Sequence, residues 1–185
     1  MTVATVLGPA PVESLRRILP HEHIASVYGR WGRQQDHPNP DWEAFVLAHY
    51  VSLFTQLRVE HDCGAIVEVS PSWGFRQQRD LEVWAEISRR SGVQIIVSTG
   101  YYVGHVRPVD FERSLANLAD GMIREATEGI ACTAVRAGII KIAVSGMTAD
   151  DRKLVRAAAA AQLATGLSIT THTCSPEDRR SVLDL

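Results

Sequence analysis

Short apolar runs alternate with helix-period segments along the chain. Residues 2–7 alternate apolar and polar side chains and then meet Gly8, Pro9 and Pro11, which predicts a strand and turn of an N-terminal hairpin. Residues 15–24 form the next extended stretch, and 28–40, with glycines, prolines and Trp31, read as a loop. Residues 41–60 read as a helix, with Phe45, Val46, His49, Leu53 and Leu57 at helical spacing. The alternation continues with strands over 65–69, 93–99, 137–143 and 167–173. Helices are predicted over 80–90, 111–128 (weakened by Gly121), 148–165 and from 176 onward.

Apolar strands between helices indicate a parallel sheet covered by helices. A doubly wound sheet and a (β/α)8 barrel both fit this α/β alternation. No G-x-G-x-x-G follows the first strand, which counts against a dinucleotide-binding fold. A complete barrel takes about 250 residues. Five barrel-type strands after the hairpin therefore predict an incomplete (β/α)8 TIM-barrel fold, with 185 residues as its N-terminal portion.

The sharpest chemical feature is Pro20-His21-Glu22-His23. In an extended backbone, residues at i and i+2 share a face, so His21 and His23 would present two imidazoles together. Such a pair suits zinc and its neighbours, although H-x-H also occurs as two structural histidines. Lys141 interrupts the otherwise apolar strand over 137–143. A buried ammonium is costly, so Lys141 either reaches solvent or pairs with Glu68, or it faces the barrel as a neutral amine. A neutral amine can be a nucleophile or a ligand, and with carbon dioxide it forms a carbamate able to bridge two metals. His172 lies at the C-terminal end of its strand, where barrel active sites form. It reads as a ligand or as a hydrogen-bonded core histidine. Cys174, two residues on, is a soft ligand or, more commonly, a buried spare thiol.

Charge and cysteines narrow the partners. The formal net charge is -2 and no run of Lys or Arg stands out, which argues against nucleic acid or a membrane surface as a partner. Three widely spaced cysteines read as reduced thiols, and no apolar segment has signal-peptide or membrane-span length. A cytoplasmic location is the expectation.

Taken together, the stretches resemble the phosphotriesterase-like branch of the amidohydrolase superfamily. They are Thr5-Val6-Leu7-Gly8-Pro9, Leu19-Pro20-His21-Glu22-His23, Ile66-Val67-Glu68-Val69, Ser98-Thr99-Gly100-Tyr101-Tyr102, Ala137-Gly138-Ile139-Ile140-Lys141-Ile142 and Thr170-Thr171-His172-Thr173. The resemblance implies a barrel with two divalent metal ions, usually zinc. His21 and His23 would bind the more buried ion, carbamylated Lys141 would bridge both, and His172 would bind the more exposed one. Tyr102 would line the substrate pocket, and Trp31 and Trp73 could stand at its mouth. A water between the metals would be ionised and attack an organophosphate triester, a lactone or a related small-molecule ester. Tyr102 in place of tryptophan leans toward a lactonase-like pocket.

The resemblance also implies a further histidine after a sixth strand and an aspartate after an eighth, beyond Leu185. The chain then reads as a fragment of a metal-dependent hydrolase. The alternative is a non-catalytic partial barrel that retains some ligands. A mononuclear deaminase on a related barrel would leave Lys141 unexplained. A homodimer is the assembly to test.

Overall fold

The computed structural model describes residues 1–24, 40–71, 78–102 and 114–184. Strands β1 (Thr2–Thr5) and β2 (Gly8–Pro11) pair as an antiparallel hairpin. Strands β3 (Arg17–Glu22), β4 (Cys63–Glu68), β5 (Gln94–Tyr102), β6 (Ile139–Val144) and β7 (Ile169–Thr173) form one parallel sheet in that order. Between and after them come α1 (Pro40–His61), α2 (Gln78–Ser91), α3 (Leu115–Thr127), α4 (Ala149–Thr165) and α5 (Pro176–Leu183).

The strand order decides between the two expected architectures. A doubly wound sheet reverses direction at a switch point and carries helices on both faces. Here each parallel strand is added beside the one before it. The helices pack on one face: Ile66, Ile95 and Val97 meet Phe54, Leu81, Trp84 and Ile87, and Ile140 and Ile142 meet Leu118, Met122, Leu154 and Ala158. The alternate residues Ala65, Val67, Val69, Ile96 and Ile139 turn the other way, where Leu15 and the hairpin residues Val3 and Ala10 cover them. The result is a curled five-stranded half-barrel whose concave floor is sealed by the hairpin, as an incomplete TIM barrel requires. Among the described residues, no helix is long and apolar enough to cross a membrane.

Local signals explain several boundaries. Thr148 and Asp151 form a reciprocal capping box at the start of α4, and Gly166 ends that helix in the left-handed conformation. Ser175 and Asp178 repeat the box at α5, with Pro176 in the first turn.

One expectation needs correction. The buried stripe of α1 runs through Tyr50 and Phe54, with Val46, Leu47, Val51 and Leu57 partly buried, while Phe45 and Leu53 face solvent. The helix is rotated to place the larger Tyr50 and Phe54 side chains against the sheet. Gly121 also has a packing role in α3: a Cβ there would sit 2.7 Å from the Tyr101 hydroxyl oxygen, so glycine lets the helix approach β5.

Gly100 has a second, stricter role. It pairs with Lys141 in the β5–β6 ladder, has φ +124°, and a Cβ on it would collide with the Lys141 carbonyl. Gly100→Ala should therefore destabilise the full chain by at least about 2 kcal/mol, read by chemical denaturation. An unchanged midpoint would show that this ladder tolerates a side chain.

Candidate functional site

The site forms at the C-terminal ends of the strands. β3 carries His21, and His23 follows one residue beyond its end. The β3–β4 ladder slips between Leu19 and Glu22, and is tied again by Val69 N–H donating to the Glu22 carbonyl at 2.9 Å. The two imidazoles meet edge to face, with centroids 5.2 Å apart and 70° between planes. His23 Nδ1 lies 3.0 Å from the Ser70 hydroxyl oxygen. Ser70 N–H in turn donates to Glu68 Oε2 at 3.2 Å, and both residues are buried.

Lys141 stands between Ile140 and Ile142, which face the helices, so strand alternation turns it to the concave side. It is fully buried, at 0% exposure, and its Nζ has no hydrogen-bond partner among the described residues. Neither a reach to solvent nor a hydrogen bond to Glu68 is what forms. Burial alone pulls its pKa down to about 8. One strand further, His172 pairs with Ala143 and is exposed.

Tyr102 closes the side of the site. Its ring centroid is 6.4 Å from that of His172, and its hydroxyl donates to the Val69 carbonyl at 3.3 Å. Burial, then the Glu68 carboxylate, push the phenol up to about 12, so it stays protonated.

Electrostatics tie the basic groups together. Burial lowers the His21 pKa, and the charges of Lys141 and then His172 lower it further. His23 is pulled down to about 4 by burial, then by His21, Lys141 and His172. Both rings are therefore held toward the neutral form, the form that carries a lone pair for a metal. Among the described residues, no three His, Cys, Asp or Glu side chains stand together as a group able to hold a metal ion. What comes together is His21, His23 and Lys141, with His172 within electrostatic range. Cys174 is exposed rather than the buried thiol expected, because it lies past the end of β7, while Cys63 is a buried thiol and Cys132 is exposed. Trp31 and Trp73 lie outside the described residues.

Sequence reasoning missed Ser70. It sits two residues past the end of β4, at the head of an expected loop, and only the fold brings it across to His23.

The sequence profile of the phosphotriesterase family matches residues 1–183. The chain belongs to the phosphotriesterase family. It is 27% identical to a phosphotriesterase-related protein of Nematostella vectensis over 91% of this chain and 56% of that protein. It is 36% identical to an aryldialkylphosphatase of Saccharolobus solfataricus over 51% of this chain and 31% of that protein. An N-acetyltaurine hydrolase of Tetraodon nigroviridis is 28% identical over 92% of this chain and 56% of its own length. The chain thus spans about half the length of curated relatives it matches. These names make the family one of hydrolases, and the matched stretch contains His21, His23, Tyr102, Lys141 and His172.

The basic cluster of this phosphotriesterase-family chain gives stability a defined pH dependence. His23 and Lys141 both bind protons less readily in the folded state, so stability rises with pH wherever the unfolded chain holds the extra proton. In the metal-free chain, His23 should add stability as pH rises from about 4 to 6.5. Lys141 should do so from about 8 to 10.5. Denaturation across pH should show His23→Asn flattening the first rise and Lys141→Met the second. Wild-type slopes surviving both substitutions would remove these groups as the cause.

Proposed function

We propose that the chain carries part of the active site of a metal-dependent hydrolase acting on ester-type bonds, in organophosphate triesters or lactones. The observation that supports this most strongly is the Lys141 amine, wholly buried and without a hydrogen-bond partner among the described residues, in electrostatic contact with two histidines held toward neutrality. With its pKa pulled down to about 8, Lys141 holds far more neutral amine near neutral pH than an ordinary lysine does. Its lone pair can attack the carbon of carbon dioxide; the nitrogen loses a proton, and a carbamate results whose single negative charge is shared between two oxygens. That converts an unpartnered amine into a ligand able to reach two cations.

The residues fit such ions. His21 and His23 would hold one, the Lys141 carbamate would reach both, and His172 would hold the other. Two divalent ions, zinc by the nitrogen and oxygen donor set, would when bound activate water and polarise the acceptor oxygen of the substrate. The chain's own groups do the rest. Tyr102, with its phenol protonated and tied to Val69, would form a fixed wall beside His172 against which the substrate packs. Fixing the wall and the ligands to strand ends of one sheet keeps the site rigid.

A second reading follows from the relatives named N-acetyltaurine hydrolase, which match 92% of this chain. The same residues would then serve hydrolysis of an amide joined to an anionic group.

The test uses the full-length protein with phosphotriester, lactone and N-acyl aminosulfonate substrates. Chelation should lower the favoured hydrolysis by on the order of 100-fold, restored by added zinc. Lys141→Ala should lose metal, with part of the metal and rate returned by short carboxylic acids. A Lys141→Ala protein that keeps two metals and its full rate would overturn the bridging role.

A further inference from the structure

We infer that Ser70 is a positioning residue for His23. Its hydroxyl oxygen accepts from His23 Nδ1–H and holds the ring in the tautomer whose lone pair is on Nε2. The inference rests on the reading of His23 as a ligand, but its geometry is separate from any metal. The contact is 3.0 Å long and spans 47 residues of sequence, from the exit of β3 to the exit of β4.

Three ties fix Ser70 where it stands. Its own N–H donates to Glu68 Oε2 at 3.2 Å. The preceding residue donates its N–H to the Glu22 carbonyl at 2.9 Å and accepts the Tyr102 hydroxyl at 3.3 Å. The β4 exit is thus bonded to β3 on one side and β5 on the other. Ser70 is 2% exposed, so bulk water does not compete for its hydroxyl.

The two histidines differ in this respect. His23 is anchored by Ser70, whereas His21 makes no side-chain hydrogen bond among the described residues. A serine hydroxyl can donate or accept, and an imidazole that binds a cation through one nitrogen carries its proton on the other. If His23 binds through Nε2, the Ser70 oxygen must accept. An anchored ring then meets an incoming cation without rotating or changing tautomer.

The experiment is long-range proton–nitrogen NMR of the histidines in the metal-free full-length protein, for wild type, Ser70→Ala and Ser70→Thr, followed by zinc titration. Wild type should show His23 protonated on Nδ1. Ser70→Ala should shift it to the Nε2–H form that free histidine prefers, leave the His21 signals in place, and weaken zinc binding by roughly 10–100-fold. Ser70→Thr, which keeps the hydroxyl, should restore both. A wild-type His23 protonated on Nε2, or a Ser70→Ala protein with an unchanged tautomer, would overturn the inference. A wild-type protein that shows the Nδ1–H tautomer but takes up no zinc would sink the metal reading and leave the Ser70 contact supported.

Discussion

A lysine amine buried inside a parallel sheet, with no hydrogen-bond partner among the described residues, is the constraint around which this structure is arranged. An ammonium in that position is penalised because burial strips its hydration and no described residue supplies an acceptor. The chain meets the penalty by lowering the lysine pKa rather than by pairing the charge. Geometry follows from the same residue. Lys141 pairs with Gly100 on one side and Thr170 on the other, and the glycine lets the neighbouring strand pass at the closeness the ladder requires. Ile140 and Ile142 anchor the strand to the helices, which obliges the lysine between them to face the concave side.

Around that amine the fold gathers nitrogen bases from separate strands and fixes them unequally. His21 and His23 arrive together from β3 and its exit, but of the two only His23 has a side-chain hydrogen bond among the described residues, to Ser70 at the exit of β4. The β4 exit acts as a strut: Val69 is bonded to β3 through Glu22 and to β5 through Tyr102. Strain or motion there would reach His23 and Tyr102 together. Membership of the phosphotriesterase family agrees with this arrangement, since the match runs across every strand of the half-barrel. Relatives about twice as long show how much more chain the family builds around it.

Much of this was legible in the residues. Each strand of the sheet was foreseen within a few positions, because apolar runs bounded by glycine and polar loops carry their own period. His21, His23, Lys141 and His172 stood out as bases placed where apolar residues or loops would otherwise be. The exposed side of α1 was not legible. Phe45 and Leu53 are apolar at helical spacing, yet the stripe through Tyr50 and Phe54 buries more area, and the helix turned accordingly. Nor was the close approach of Gly121 to Tyr101 legible, since it depends on how the helix packs on β5.

The sequence by itself determined the order and kind of elements, and it singled out the bases and the strands that carry them. These depend on local periodicity and on side-chain chemistry, which neighbours along the chain express. The tertiary structure decided everything that required two strands to lie side by side. It chose a half-barrel over a doubly wound sheet through the unbroken strand order. It left Lys141 buried and without a hydrogen bond to Glu68, and it carried Ser70 across 47 residues to His23. Register and burial are properties of the packed sheet, and no spacing along a single chain encodes them directly.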